Sequence, residues 1–160
     1  MSRRKSGALA FALAMALGAF SARATTVSEV RLGDISGGAR KLSALTGRPA
    51  VLLFWRSDCA PCLIELQGLA GLQAAAAPAP VVTIALEAPA SAALALRKMG
   101  VAPQRAWWSK TEARQTLLAF GPAPPRLPLA IALDSRGSVC AQHVGLLGTD
   151  RVRQWEKQCR

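Results

Sequence analysis

With 160 residues, 20 lysines and arginines against 9 acidic residues and a formal net charge of +11, the chain is strongly basic and has room for one domain of ordinary size. Beyond residue 24 the basic residues are scattered, with no run longer than Arg40-Lys41 or Arg97-Lys98 and no aromatic interleaving beyond Trp107-Trp108, which excludes the usual footprint of a nucleic-acid binder. A solvated basic surface of this kind suits anionic membrane faces or acidic partners.

The first element is a targeting segment. Met1-Ser2-Arg3-Arg4-Lys5 is basic, residues 8–20 are apolar, and Ala22-Arg23-Ala24 supplies a small-x-small cleavage signal. The expectation is a signal peptide over residues 1–24 and a mature domain over 25–160, delivered to the periplasm. An uncleaved membrane anchor is the alternative, although the apolar run is short of the ~20 residues a spanning helix needs. No cysteine precedes Cys59, which argues against a lipid-modified N-terminus, and Arg3-Arg4 alone is too little for a twin-arginine signal. Cleavage removes four basic residues and no acidic one, and leaves the chain basic. In an oxidising compartment four cysteines are a natural disulfide set.

Val30 to Asp34 and Arg40-Lys41-Leu42, separated by Ser36-Gly37-Gly38, read as a small hairpin. A turn over 43–47 leads to an apolar strand over 51–55. The strand runs straight into Arg56-Ser57-Asp58-Cys59-Ala60-Pro61-Cys62, and a helix follows from about Ala60, with Leu63, Leu66, Leu69 and Leu72 on one side, ending in the Ala-Pro stretch 74–80. The run 81–86 is a buried strand of the parallel-sheet kind. Ser91 is read as the cap of a helix through Met99, stopped by Gly100. Ser109 to Glu112 has capping-box spacing and opens a helix to about Phe120. Residues 121–126 carry three prolines and must be loop. Residues 128–133 form a strand, 134–137 a tight turn and 138–144 an antiparallel return. Thr149 is read as the cap of a last helix through about Gln158. The order predicts an α/β sandwich around a mixed sheet.

The chemistry sits at the strand-to-helix junction. Two cysteines separated by two residues in a first helical turn can close a small disulfide ring, and the unpaired N–H groups and macrodipole of that turn favour the thiolate of Cys59. Pro61 lacks the amide hydrogen that the turn would leave unpaired. A zinc site would need a second ligand pair of similar spacing, and only Cys140, His143 and Cys159 remain. Attached haem would need histidine where Leu63 stands. A purely structural disulfide is the plainer alternative. Cys59, after the polar Ser57-Asp58, is the candidate nucleophile and Cys62 the resolving thiol. Asp58 opposes ionisation of Cys59, and Arg56 is placed to offset it. Glu65, three residues past Cys62, is either a proton-transfer group for it or a solvated carboxylate. Cys140 and Cys159 are placed to meet at one end of the domain in a second, structural disulfide. His143 reads as an ordinary strand residue and Trp107-Trp108 as core plus rim.

These features resemble the thioredoxin-like superfamily, and most of all its exported TlpA/DsbE-type (ResA-like) thiol-disulfide oxidoreductases, over essentially all of residues 30–159. Phe54-Trp55 followed by Cys59-Ala60-Pro61-Cys62 is similar to the family's F-W-x-x-x-C-x-P-C, Glu65 matches its C-x-x-E extension, and Leu127-Pro128 before Asp134 and Gly137 is similar to its P-x-x-x-x-I-D-x-x-G. The resemblance implies a three-layer sandwich with a central mixed sheet, an N-terminal hairpin extension and a strand-helix insertion in the long interval from Cys62 to Pro128. It implies a cis bond before Pro128 that presents Leu127 backbone groups to a substrate strand, with Leu127, Pro128 and Trp55 as the substrate-binding residues. It further implies a protein disulfide substrate, a membrane electron donor, no cofactor and no metal, and we expect a monomer. Rival readings are a disulfide oxidase or isomerase using the same residues, and a copper-delivery module, whose relatives usually carry C-x-x-x-C and a dedicated histidine that this chain lacks. The chain departs from the family at Asp58, where an aromatic residue is usual, at Leu53, where thioredoxins bury an acid, and at Leu127, usually Thr or Val.

Overall fold

The computed structural model describes residues 27–160, so the proposed signal segment lies outside the described residues. In chain order the elements are β1 (Leu32–Asp34), β2 (Ala39–Arg40), β3 (Ala50–Trp55), α1 (Ala60–Gln67), α2 (Leu69–Ala76), β4 (Val81–Ala85), α3 (Pro89–Met99), β5 (Arg105–Ser109), α4 (Ala113–Phe120), β6 (Leu129–Leu133), β7 (Val139–Val144) and α5 (Thr149–Gln158). The strands form one mixed sheet in the order β2-β1-β5-β4-β3-β6-β7.

Side-chain alternation along β3 divides the core in two. Val51, Leu53 and Trp55 join one apolar cluster with Cys62, Leu66, Leu72, Ala92, Leu96, Val152 and Trp155, so α1, α2, α3 and α5 cover that face. Ala50, Leu52 and Phe54 join the other with Leu45, Leu117 and Phe120, where α4 is the cover. All six residues of β3 are buried. A strand apolar on both sides belongs in the middle of a sheet, and β3 lies there between parallel β4 and antiparallel β6. The three-layer sandwich is thereby formed, the hairpin β1–β2 extends one edge, and α3 with β5 fills the long interval after β4.

Several local expectations change. The helix after the dithiol is two helices, broken at Gly68, whose amide caps the first by bonding to Ile64 O and Glu65 O. Glycine is the weakest ordinary helix former, whereas the alanines beyond Leu72 are the strongest and carry α2 on to Ala76. Ser91 is not a cap, because α3 starts earlier at Pro89, which suits the first helical position. Thr149 is likewise inside α5 and Gly148 precedes it as the cap residue. Glu112, not Ser109, caps α4, accepting from Arg114 N and Gln115 N at 3.0 Å each. Ser109 instead ends β5, a strand to which the sequence reading assigned no residues; its hydroxyl pairs with Thr116 Oγ1 at 2.8 Å. Gly100 does stop α3, at φ 66°.

Candidate active site

The parallel pairing of β3 with β4 and the antiparallel pairing with β6 bring three chain segments to one end of the sheet. They are the turn after Trp55, the end of β4 and the segment before Leu129, which pairs with Phe54. Cys59 is the N-cap of α1, and its sulfur accepts from Cys62 N at 3.3 Å, one of the amides a helix start leaves unpaired. Cys59 and Cys62 are joined, with S–S 2.07 Å and Cα atoms 5.2 Å apart. Cys62 is fully buried while Cys59 is only partly buried.

The Leu127-Pro128 bond is cis and lies at this same end. Leu127 is half-buried and packs against both core clusters, and Pro128 O accepts from Gly145 N at 2.9 Å. Trp55 corrects one expectation. It is wholly buried, so it packs beneath the dithiol in the cluster of Cys62 and Leu66 and does not face a substrate; its Nε1 has no hydrogen-bond partner among the described residues.

Glu65 is not a solvated helix-face carboxylate, for it is only 6% exposed. Its Oε2 accepts from Leu147 N at 2.7 Å, anchoring residues 145–148 against α1. Burial pushes its carboxyl above the ordinary value of 4.5, opposed in part by the amides of Leu147 and Gly148 and by His143. His143 contacts the same loop, with Nε2 3.1 Å from Leu146 O.

The turn itself is held by charges. Arg56 grips Asp58 with two bonds, Nε to Oδ1 at 2.8 Å and Nη2 to Oδ2 at 2.9 Å, and this guanidinium keeps the Asp58 carboxyl below its ordinary range. Sequence reading missed Glu87. It follows β4, and its oxygens accept from Ser57 N and Ser57 Oγ, each at 2.7 Å. The available signal was a lone acid directly after a buried strand parallel to the one that ends at the dithiol.

Cys140 and Cys159 are bonded, S–S 2.06 Å and Cα–Cα 5.8 Å. Since Val139 pairs with Leu133, and Ala50 pairs with Leu133, this disulfide lies at the end of the sheet away from Cys59.

No protein-family model and no curated protein matches the chain. Solved structures do. A Chlorobium tepidum protein assigned as thiol:disulfide interchange protein DsbE is 25% identical with TM-score 0.63, the match covering 85% of this chain and 94% of that one. StoA from Bacillus subtilis is 20% identical with TM-score 0.62, covering 81% and 98%. A secreted Mycobacterium tuberculosis disulfide oxidoreductase homologous to E. coli DsbE is 19% identical with TM-score 0.60, covering 79% and 93%. Fold and dithiol together define a thioredoxin-like protein of the thiol-disulfide oxidoreductase class. Within that class the chain is similar to the DsbE and StoA type.

Proposed function

We propose that the protein is an exported oxidoreductase that reduces specific protein disulfides and is itself re-reduced by a membrane electron donor, in a pathway such as cytochrome c or other metalloprotein maturation. The observation that carries this reading is the asymmetry of the pair at the α1 N-terminus, Cys59 only partly buried and Cys62 enclosed. In the reduced protein the Cys59 thiolate attacks one sulfur of a substrate disulfide. A mixed disulfide forms and the other substrate sulfur leaves as thiolate. Cys62 then gives up its proton, attacks the Cys59 sulfur and releases the second substrate thiol, so two electrons pass to the substrate and the Cys59–Cys62 disulfide is left. Glu65 is our candidate to take the Cys62 proton, and the backbone of Leu127 our candidate to pair with an extended substrate segment.

Export is supported by the basic, apolar and small-residue order of residues 1–24 and by similarity to a secreted oxidoreductase. Among the described residues no helix is long and apolar enough to cross a membrane. The deciding experiment is reduction of a protein disulfide by the pre-reduced chain, read on non-reducing gels. Cys59→Ser abolishes it, whereas Cys62→Ser accumulates mixed disulfides through Cys59. Full activity of Cys59→Ser would sink the reading. Direction is read separately, by equilibrium with glutathione, where a reductant lies well below the ~−120 mV of a strong oxidant.

A further inference from the structure

Glu87 lies outside every motif read from the sequence, yet its carboxylate spans the turn that delivers Cys59. Both oxygens are used on one residue, Oε1 on Ser57 N and Oε2 on Ser57 Oγ. Two bonds from one planar group fix that residue in position and in rotation. The turn is tied twice more to the end of β4, by Arg56 Nη1 on Leu86 O at 3.3 Å and by Leu86 N on Trp55 O at 2.9 Å. The three residues from Trp55 to Ser57 are therefore held to the end of β4 shortly before the nucleophile.

The charges of this cluster do not cancel. Arg56 is committed to Asp58 by its bidentate bond and also feels Glu87. Arg56, Asp58 and Glu87 together leave one negative charge in excess, and Glu87 is half-buried, where solvent screens it less than at an open surface. A net negative charge bonded to the turn two residues ahead of a thiol opposes its ionisation, against the field of the α1 N-terminus. Glu65, turned toward Leu147, and His143, whose charge reaches Glu65, also lie at this end.

We propose, on the dithiol reading given above, that Glu87 is a positioning residue for the redox pair: it clamps the turn ahead of Cys59 and, through its charge, sets how readily Cys59 ionises and how strongly the pair gives up electrons. In exchange with glutathione, the Cys59–Cys62 disulfide and two glutathione thiols give the protein dithiol and one glutathione disulfide. A group that disfavours the Cys59 thiolate shifts that exchange toward the protein disulfide and makes the dithiol the stronger reductant.

The test is the pH dependence of iodoacetamide labelling at Cys59 in the pre-reduced full chain, read by peptide mass, together with the glutathione equilibrium. Glu87→Gln can still bond Ser57 but carries no charge. Its labelling midpoint falls by about half a pH unit, and above that midpoint its equilibrium constant for oxidation by glutathione disulfide drops about threefold. Arg56→Gln moves the midpoint upward, because Asp58 is then left unpaired as well. Ser57→Ala keeps the carboxylate and the backbone bond and holds the wild-type midpoint. A Glu87→Gln midpoint equal to wild type, an Arg56→Gln midpoint at or below it, or an equal displacement in Ser57→Ala overturns the proposal. Failure of the dithiol reading would show separately, as wild-type protein that labels normally but reduces no protein disulfide.

Discussion

At the scale of single residues, Glu65 is where the proposed chemistry meets stability. Its carboxyl is raised by burial, so the folded protein binds that proton more tightly than the unfolded chain does. The corresponding stability is fully present below the ordinary value of 4.5 and is lost as pH rises through the higher folded value. Glu65→Gln removes the cost of burying the charge while keeping an acceptor for Leu147 N. The variant should therefore unfold at higher urea than wild type at pH 7, and the gap should close in acid. In the same protein, the resolving half-reaction at neutral pH should slow by roughly 10²-fold at most if Glu65 moves the Cys62 proton. Higher stability with wild-type turnover would leave Glu65 as the anchor of residues 145–148 and nothing more.

At the scale of elements, the edge hairpin depends on a missing side chain. A Cβ on Gly33 of β1 would lie 2.5 Å from Trp108 Nε1 on β5, and Trp108 is itself capped by Lys110, whose Nζ is 5.8 Å from the ring centroid. Glycine inside a strand commonly marks such a close approach. Gly33→Ala should lower stability by about 1–3 kcal/mol in urea unfolding, with Trp108 fluorescence reporting the displaced ring. Dithiol chemistry should continue, because β1 and β2 lie two strands and more from β3. A Gly33→Ala variant as stable as wild type would mean that the hairpin slides freely over β5.

Across the whole molecule the two disulfides sit at opposite ends of the sheet. Cys140–Cys159 closes a stretch with sequence separation 19 and ties β7 to the end of α5. Replacing both cysteines by serine should cost about 3 kcal/mol of stability, by denaturant unfolding under oxidising conditions, and leave Cys59–Cys62 exchange intact. Loss of exchange along with stability would instead couple the two ends. Export makes a further prediction. Intact mass of protein recovered from outside the cytoplasm should begin near Thr25, whereas full-length chain found only in membranes would revive the anchor.

The strand over 51–55, the helix start at Cys59, the tight turn at 134–137 and the dithiol were legible because each depends on local rules: apolar runs, caps, turn residues and two thiols within one helical turn. A Gly100 stop needs nothing but its own left-handed backbone. What the sequence could not determine is which distant residue meets which. β5 carries polar residues at both ends and only Trp107 and Ser109 are buried, so its place was decided by pairing with β4 and β1. In the sequence Glu65 reads equally as a proton-transfer group and as a solvated carboxylate, and only the closure of residues 145–148 over it shows it buried. Glu87 lies thirty residues from Ser57 along the chain and within one hydrogen bond of it in space, because parallel pairing of β3 and β4 puts their ends side by side. Short-range spacing determined the Cys59–Cys62 pair, and only the long-range register of the sheet decided the charges and loops that surround it.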